Sequence, residues 1–576
     1  MLDILIQNGT IVDGSGKPGF TADLGIESGK IAFVGKDHGA PAAKTLDATG
    51  KIVCPGIVDP HSHADLTIFR EDHPARLEPL VRQGITTFVG GNCGLSMAPL
   101  GTKHRPDIRQ YIEVFTNLDT EKECPWESMG GFLDSIQSRG ALLNTAVLAP
   151  HGLLRINQLG SEKRPAASEE IDAMADELDR ALEEGAIGLS TGLQYFPGNQ
   201  SDTPELVRLG EVLKKHDAIF TCHLRSYSNT LGKALDEVIE VTRKNGIRGQ
   251  VSHLFWLPDY GVFGPAIRMM LHGLIRLSKH WTAPVPLAFP LAQRVEQVLR
   301  AREQNANVGM DVMPTTTAFT HLLAYFPPWA LDGGREGVLA RLSDPGARVQ
   351  MRRAIEHGKA RWPHIEGDSW SMNLLQLMGY ECARIMAVVS EKNKPLEGRR
   401  LVDIARERGQ HPFDTACDLL LEEHGHVLVF ASMGEPEDTF TERSTFAPLA
   451  HPEVAISTDT ILMGFGRPSP LFYGCYPKFI RRYVRELKLL PLETAIRKIT
   501  GLPAEHFRLE GRGRLEAGAH ADVLIFDFDR LANHATFDQP DRFPAGIEHV
   551  FINGAHVVEG DVFRPETRPG QVIRGR

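Results

Sequence analysis

Eight short apolar runs, separated by helical patterns or by long connections, constrain the fold of this chain more than any other feature. The runs cover residues 52–58, 85–91, 145–149, 186–190, 218–222, 249–252, 308–313 and 454–457. Strands that alternate with helices form parallel sheets, and eight such units can close into a ring. We therefore predict an α/β fold, a TIM-like (β/α)8 barrel. A doubly wound open sheet is the alternative, but that architecture does not require eight strands.

The two ends of the chain have a different pattern, in which short alternating strands are separated by turn residues. It runs through residues 1–54 and returns from residue 521 onwards. We predict that residues 1–54 and 508–576 form one small sheet domain, and that residues 55–507 form the barrel. Residues 257–306 and 315–450 exceed ordinary strand connections, so we interpret them as insertions over the mouth of the barrel.

Composition excludes several classes of protein. The chain has 576 residues, is 42% hydrophobic and 24% charged, and has a net charge of −10 without a basic block. These values indicate a globular protein with a small-molecule substrate rather than a nucleic-acid partner. No apolar run reaches the ~18 residues of a membrane span. Residues 261–281 carry several basic side chains, so we interpret this apolar segment as an amphipathic lid.

The amino terminus and the cysteines indicate the compartment. Residues 1–13 lack the basic start, apolar core and cleavage site of a signal peptide. Seven scattered cysteines, an odd number, are typical of reduced thiols. We therefore predict a cytoplasmic protein; the sequence leaves the oligomeric state open, with a homo-oligomer among the alternatives.

Two histidines, His61 and His63, close the first apolar run in the sequence P-G-I-V-D-P-H-S-H. Residues i and i+2 of an extended strand face the same side, so both imidazoles can reach one metal ion. A single pair of this kind also occurs by chance on many surfaces. The metal hypothesis therefore depends on further ligands elsewhere in the chain.

Further metal-ligand side chains stand at the ends of other runs, where barrel enzymes have their active sites. The full set is His61, His63, Cys93, His223, His253 and Asp459. Taken singly, Cys93 could be a buried packing residue, Asp459 a helix cap, and either later histidine part of the core. Together, in the same strand-end position, they indicate a metal site. His151 could line the pocket, whereas His321 has no such position and is interpreted as structural.

Several motifs carry a resemblance to a known family. They are D-I-L-I-Q-N-G-T-I-V-D-G-S-G at 3–16, P-G-I-V-D-P-H-S-H at 55–63, G-N-C-G at 91–94, G-A-I-G-L-S-T-G-L-Q-Y at 185–195, T-C-H-L-R at 221–225, Q-V-S-H at 250–253, S-T-D at 457–459, L-P-L-E-T-A-I-R-K-I-T-G-L-P-A-E at 490–505 and G-R-G-R-L-E-A-G-A-H-A-D-V-L-I-F-D at 511–527. With these motifs the chain resembles the amidohydrolase superfamily, and within it the D-aminoacylase, or N-acyl-D-amino-acid deacylase, family. The resemblance covers both ends and most of the barrel, but not the insertions.

The resemblance implies a (β/α)8 barrel with a β-sandwich domain and zinc at the strand ends. Carried over residue by residue, it implies a tighter zinc site at Cys93, His223 and His253. His61, His63 and Asp459 would form a second, weaker site, so that one or two Zn²⁺ ions bind. Asp459, the only carboxylate of the set, is then the expected general base and acid in the hydrolysis of a linear amide.

Substrate recognition is where the chain departs from the family pattern. The usual H-H-K after the sixth strand is here His253-Leu254-Phe255, and Leu471 stands where the family tends to have arginine. An apolar pocket of Phe255, Trp256, Leu471 and Phe472 would favour a hydrophobic amide over a free carboxylate. The further candidate substrate contacts are Tyr195, Arg225 and Arg467. By resemblance, the expected substrate is an N-acyl-D-amino acid or a related hydrophobic N-acyl compound.

Two other functions stay open at this stage. A cyclic amidase of the hydantoinase type would want a carboxylated lysine on the fourth strand, where Leu189-Ser190-Thr191 stand. A non-catalytic scaffold on the same fold would be expected to have lost metal ligands, and all six are present.

Overall fold

The computed structural model describes residues 1–36, 39–116, 118–277, 287–364, 370–432 and 438–575. The strands in these ranges are β1 (Leu2–Ile11), β2 (Phe20–Glu27), β3 (Lys30–Gly35), β4 (Ala42–Asp47), β5 (Ile52–Pro55), β6 (Ile57–Asp59), β7 (Ile85–Gly90), β8 (Asn144–Val147), β9 (Ala149–Pro150), β10 (Gly188–Gly192), β11 (Ile219–His223), β12 (Arg248–Val251), β13 (Val308–Val312), β14 (Thr317–His321), β15 (Ala383–Ala387), β16 (Leu428–Ser432), β17 (Ala455–Ile456), β18 (Val523–Phe526), β19 (Ile547–Ile552), β20 (Ala555–Glu559), β21 (Val562–Phe563) and β22 (Val572–Ile573).

Helices separate most of the central strands. They are α1 (His73–Val81), α2 (Arg105–Thr116), α3 (Thr120–Glu123), α4 (Met129–Arg139), α5 (His151–Leu159), α6 (Ser168–Glu183), α7 (Thr203–Lys215), α8 (Leu231–Asn245), α9 (Gly264–Leu277), α10 (Phe289–Glu303), α11 (Gly334–Ser343), α12 (Pro345–His357), α13 (Leu374–Met378), α14 (Leu401–Arg408), α15 (Pro412–Glu422), α16 (Phe446–Ala450), α17 (Pro470–Lys478), α18 (Leu492–Ile499) and α19 (Gly501–Phe507). Within the described ranges, no helix is both long enough and apolar enough to cross a bilayer.

Both ends of the chain contribute to one mixed sheet of nine strands, β1–β5 and β18–β21. Strand β5 joins the two ends, because it pairs in parallel with β1 and antiparallel with β18. The apolar positions of the alternating pattern face a common core, in which Ile6 and Ile26 pack with Val523 and Ile525. Burial of these side chains is the main force that holds the two ends together.

The central strands are parallel and buried, as expected for a sheet covered by helices. One group pairs in the order β6, β7, β8, β22, so that the carboxyl-terminal β22 joins these strands rather than the terminal sheet, and a second pairs in the order β9, β10, β11, β12, β13, β17. The two groups meet on one side at Leu148, which lies between β8 and β9. Its amide donates a hydrogen bond of 3.0 Å to the carbonyl of Gly90 at the end of β7. On the other side a parallel bridge joins Ser62 to Thr460. The carboxyl ends of β6, β7, β11, β12 and β17 therefore point to one region.

The first predicted run is divided in the structure. Residues 52–55 belong to the terminal sheet as β5, and only Ile57–Asp59 join the parallel strands as β6. Gly56, between them, lies so close to Thr86 that an added Cβ would be 2.3 Å from its side chain. A residue without a side chain is therefore needed where the chain passes from one sheet to the other.

The two predicted insertions contain secondary structure of their own. Helices α9 and α10 lie in the first, and the second contains an antiparallel sheet in the order β14, β16, β15. The predicted amphipathic lid corresponds to α9, which ends at Leu277; residues 278–281 of that segment lie outside the described residues.

Candidate metal centre

The six candidate ligands come from the ends of five strands. Three of them, Cys93, His253 and Asp459, have positive φ angles of 54°, 35° and 52°. This backbone conformation is uncommon for residues other than glycine and costs about 1–3 kcal/mol at each position. Its occurrence at three neighbouring ligand positions indicates that the direction needed for the ligand side chains, rather than the conformational preference of the backbone, determines the local structure.

Cys93 lies at the centre of the cluster. Its Sγ is 3.4 Å from His61 Nε2 and 3.5 Å from both His223 Nδ1 and His253 Nε2. His223 Nδ1 and His253 Nε2 are 2.9 Å apart. Four strand ends therefore direct their donor atoms to one point.

Asp459 joins the cluster on the side of the paired histidines. Its Oδ1 is 3.4 Å from His61 Nε2 and 3.2 Å from His63 Nε2. His61 is therefore shared between the thiol group and the carboxylate group. Two overlapping sets, His61 with Cys93 and His253, and His61 with His63 and Asp459, each have ligand atoms within 4.8 Å of one another.

Neighbouring side chains fix the orientation of two of the imidazoles. Tyr227 Oη lies 3.1 Å from His253 Nδ1, and Gln194 Oε1 lies 3.0 Å from His223 Nε2. In each ring the other nitrogen faces the cluster. Such outer hydrogen bonds are the usual way in which proteins orient histidine ligands and select their tautomer.

Two buried carboxylates support the backbone of the ligand loops. Asp311 accepts a hydrogen bond of 2.8 Å from the amide of His253. Asp59 accepts from the amides of His61 and Thr458, at 3.4 and 3.2 Å. Burial raises the pKa of Asp59 to about 7, although its hydrogen bonds with Thr458 oppose that shift. Neither aspartate was among the predicted site residues.

The protein environment favours the anionic forms of Cys93 and Asp459. Against the effect of burial, these two groups in turn raise the pKa of His61 well above its usual range and that of His63 to about 9, so a metal would displace protons from these imidazoles. Burial alone would raise the pKa of the Cys93 thiol, but positive charge on His61 and His223 brings it well below its usual range. Asp459 is likewise held below its ordinary pKa, against burial, by hydrogen bonds with His61 and His63. Burial lowers the pKa of His223 to about 4. A thiolate, a carboxylate and neutral imidazole are the donor types that zinc prefers.

The spacing of the donor atoms fits a metal ion between them. Zinc binds nitrogen and sulfur at about 2.0–2.3 Å, so tetrahedral ligands lie roughly 3.3–3.8 Å apart. The distances from Cys93 Sγ and from Asp459 Oδ1 to their imidazole neighbours are close to this range, at 3.2–3.5 Å, while His223 Nδ1 and His253 Nε2 are closer, at 2.9 Å. The residues present therefore suit zinc.

A cavity of about 250 Å³ opens onto the cluster, with Cys93, His223 and Asp459 in its wall. The Tyr195 ring also lines it, 4.6 Å from the ring of His223. Phe255 forms another part of the wall and stacks on Tyr227 at 4.1 Å. Five of the six candidate ligands, all except His61, therefore line this cavity.

Comparisons with known proteins agree with this geometry. A profile described as "Amidohydrolase family" matches residues 431–558. A D-aminoacylase from Alcaligenes xylosoxydans xylosoxydans is 29% identical over 563 residues, which are 97% of this chain and 95% of that protein. A solved D-aminoacylase, studied for its binuclear metal centre, is 27% identical with a TM-score of 0.75 over the whole of both chains. N-acyl-D-glutamate deacylase from Bordetella bronchiseptica, complexed with zinc and a phosphonate inhibitor, is 28% identical with a TM-score of 0.74, over 100% of this chain and 99% of that one.

This chain is similar to the D-aminoacylases over almost its whole length. The predicted resemblance to the amidohydrolase superfamily is confirmed, and so is an α/β fold of the kind found in the solved D-aminoacylases. The relatives share their length with this chain, so the similarity extends over the insertions as well as the central strands.

Not all of the predicted substrate residues reach the cavity. Tyr195 and Phe255 line it, whereas Arg225, Arg467 and Leu471 do not. The guanidinium of Arg225 is buried and donates to both carboxylate oxygens of Glu237, at 3.1 and 2.9 Å. Its direction follows from charge pairing, since a buried cation needs a nearby anion. The prediction that it contacts substrate is not supported by its position.

The other two predicted substrate contacts, Arg467 and Leu471, also lie outside the cavity wall. Arg467 turns away from the cavity and donates to the backbone carbonyl of Phe537, at 3.2 and 2.5 Å. Leu471 is 5% exposed and lies in the hydrophobic core. Phe472, also expected in the pocket wall, packs edge-on against Phe319, 5.4 Å between ring centres. His151 is buried against Glu205, at 2.7 Å, and lies outside the cavity.

Sequence reasoning missed several residues of the cavity wall. His321 on β14 lines the cavity, 5.8 Å from the ring of Tyr195, and burial lowers its pKa to about 4. Tyr111 and Gln194 line it too. His321 comes from an antiparallel sheet inside an insertion, so a search of parallel strand ends could not find it. Gln194 stands beside Tyr195 in a motif already noted, and that proximity was the available signal.

Proposed function

We propose that this protein is a zinc-dependent amidohydrolase that cleaves a linear amide, an N-acyl-D-amino acid or a related hydrophobic N-acyl compound. The observation that carries the proposal is the convergence of Cys93, His223, His253 and the carboxylate of Asp459 on one cavity. The relatives named D-aminoacylase and N-acyl-D-glutamate deacylase support the same chemistry.

We infer a closed (β/α)8 barrel from the two parallel groups of strands. Counting β8 and β9 as one strand interrupted at Leu148, the pairings run through eight strands, and the Ser62–Thr460 bridge supports closure. In this interpretation residues 55–507 form the barrel, and residues 1–54 and 508–576 form a β-sandwich domain beside it. The site then has the position usual for barrel enzymes, at the carboxyl ends of the strands.

Cys93, His223 and His253 would hold the first zinc ion, and His61, His63 and Asp459 a second. When bound, zinc acts as a Lewis acid that polarises the amide carbonyl and makes a nearby water easier to deprotonate. The chain itself supplies the dry wall and the fixed donor directions. The thiolate of Cys93 adds a negative charge that offsets part of the charge of the metal.

Asp459 is the group that moves the proton. Its pKa lies below the ordinary range, because hydrogen bonds with His61 and His63 outweigh the effect of burial, so it is ionised at neutral pH. It can accept a proton from the attacking water and deliver it to the leaving nitrogen. The reaction forms a C–O bond and breaks the C–N bond, and it yields a carboxylic acid and an amine.

The described cavity wall gives no support to a cyclic amidase that uses a carboxylated lysine, because no lysine belongs to it. Leu189-Ser190-Thr191 occupy β10, and Ser190 is engaged by the backbone of Gly91 and Gly94. The hydroxyl of Ser190 therefore joins the cysteine loop to the neighbouring strand.

Zinc analysis and a deacylation assay test the proposal together. The protein, expressed with ample zinc, is assayed on N-acetyl-D-amino acids, hydrophobic N-acyl amides and hydantoins. We expect bound zinc and release of acid from linear amides, and an Asp459→Asn variant should lose about 10²–10⁴-fold in kcat. The exposed Asp561 gives a matched control, since Asp561→Asn should leave kcat unchanged. A zinc-free protein, or an Asp459→Asn variant with full activity, would contradict the proposal.

A further inference from the structure

The cavity beside the metal centre is apolar over most of its wall. Many of the lining side chains are aromatic or aliphatic and come from several parts of the chain: Phe255, Trp256, Leu271, Ile275, Phe319 and Met372. A wall of this kind releases water when an apolar group enters and gives no compensation to a buried charge.

The described wall of the cavity has no permanently charged cation. Of the described residues that line it, none is lysine or arginine, whereas Asp107 and Asp459 are both acidic. Apart from a metal and the ligand histidines, a carboxylate on the substrate would therefore meet no cationic side chain in this wall.

Two arginines that lie close in the sequence to cavity residues are already paired elsewhere. Arg225 is bound to Glu237 at 2.9 Å. Arg335, which follows the cavity residue Gly334, binds Glu113 at 3.1 Å. Recruiting Arg225 to a substrate carboxylate would leave Glu237, which is 5% exposed, buried without its cation. Recruiting Arg335 would break its ion pair with Glu113, a buried carboxylate that Arg109 also contacts. The structure therefore holds no ready counter-ion in these two positions.

Helix α9 covers the cavity with apolar side chains on both of its faces. Leu271 and Ile275 face inwards, where Ile275 packs in a small cluster with Phe440. On the outer face Met269 and Met270 are 74% and 57% exposed. Large exposed apolar side chains are unusual on a helix that has only a covering role. A lipophilic ligand could therefore contact apolar surface before and after it enters the cavity.

We propose that the substrate is an uncharged, lipophilic N-acyl amide, in which the carbon attached to the amide nitrogen carries no free carboxylate. This inference rests on the proposed function and narrows it to one of its two substrate classes. Water adds across the C–N bond as above, so the only new carboxylate is the one released from the acyl group at the metal-ligand end.

A matched pair of substrates tests the inference. N-octanoyl-D-leucine and N-octanoyl-D-leucinamide differ in charge at one position and little in shape, and octanoate release measures the cleavage of both. Since a buried carboxylate without a partner is strongly disfavoured, we expect kcat/KM to be about 100-fold higher for the leucinamide. Equal values, or a preference for the free acid, would overturn the inference while the proposed function stands.

A binding measurement separates failure of the inference from failure of the proposed function. The zinc-loaded Asp459→Asn variant is titrated calorimetrically with both compounds, so that no turnover is needed. Binding of the leucinamide at least about tenfold tighter supports the inference even if neither compound is cleaved by the native protein. Equal affinity, or tighter binding of the free acid, overturns it.

An isosteric pair of variants tests the role of charge in the wall. Phe255→Lys places a cation in the cavity, and Phe255→Met is the matched control because it also removes the ring stacked on Tyr227 but stays neutral. We expect the lysine variant alone to shift the ratio of kcat/KM values towards N-octanoyl-D-leucine, by about tenfold or more. The same shift in the methionine variant would show that shape, not charge, sets the preference.

Discussion

Replacement of Arg225 by methionine distinguishes a structural role from a substrate role for this residue. The Arg225 side chain is fully buried and makes two hydrogen bonds with Glu237, and a third, of 3.3 Å, with the carbonyl of Asn199. In Arg225→Met, Glu237 keeps only the hydroxyl of Thr203, at 2.9 Å. Leaving one member of a buried pair uncompensated costs about 3–5 kcal/mol.

The expected fall in melting temperature follows from the size of the chain. At about 2.1 cal/mol/K per residue, cooperative unfolding of 576 residues has an entropy of about 1.2 kcal/mol/K. A loss of 3–5 kcal/mol therefore lowers Tm by about 2.5–4 °C, measured by calorimetry on the metal-loaded protein. The double variant Arg225→Met, Glu237→Met removes both charges and should recover most of the loss.

Arg208 provides the control for the loss of an arginine as such. It pairs with Asp172 on the surface, where both side chains are exposed, 40% and 62%. Arg208→Met should change stability by less than about 0.5 kcal/mol. The reasoning is refuted if Arg225→Met keeps the native Tm and instead loses activity on N-octanoyl-D-leucine but not on N-octanoyl-D-leucinamide.

Two further predictions concern the candidate ligand His253 and the buried His73 on α1. Tyr227→Phe removes the hydrogen bond to His253 and should weaken zinc affinity about 10–100-fold in a chelator competition, whereas Tyr476→Phe, which loses a bond to a backbone carbonyl, should not. His73, with one ring nitrogen on the carbonyl of Arg70 and the other accepting from the amide of Leu142, has its pKa lowered by burial to about 4. The pKa of His73 in the folded protein is below its unfolded value of about 6.5. The free energy of unfolding should therefore fall as pH falls from 6.5 to 4, by up to about 3 kcal/mol. His73→Gln should reduce this dependence of stability on pH, and an unchanged dependence in the variant would contradict the assignment.

The parts of the fold that sequence could predict are those set by periodicity. Buried parallel strands need short apolar runs, so seven runs of the eight needed only small changes of boundary. The first run failed because apolar character does not tell one sheet from another. Residues 52–58 are apolar throughout, yet Gly56 divides them between the terminal sheet and the parallel strands.

How far sequence can predict the position of a side chain in the candidate site depends on what orients that side chain. His61 and His63 lie two and four residues beyond the end of β6, and both direct Nε2 to Asp459, as the alternation expected of an extended strand predicts. The direction of the Arg225 side chain depends instead on Glu237, which lies twelve residues later on α8. His321 reaches the cavity through the pairing of β14 with β16, a contact between distant parts of an insertion. The sequence pattern around Arg225 or His321 therefore cannot reveal the partner, Glu237 or β16, that positions each residue.

Three of the candidate metal ligands have a strained backbone conformation. Cys93, His253 and Asp459 hold positive φ angles at the ends of three different strands, a cost of about 1–3 kcal/mol each that packing alone would not select. The strain turns each side chain inwards, beyond what a regular strand end allows, and the amide of His253 is held in place by Asp311. A bound metal stabilises the folded state in proportion to its affinity, and it can offset such strain where three strand ends share one ion. The backbone conformation of these residues is thus a physical reason, independent of family resemblance, to place the metal at this point.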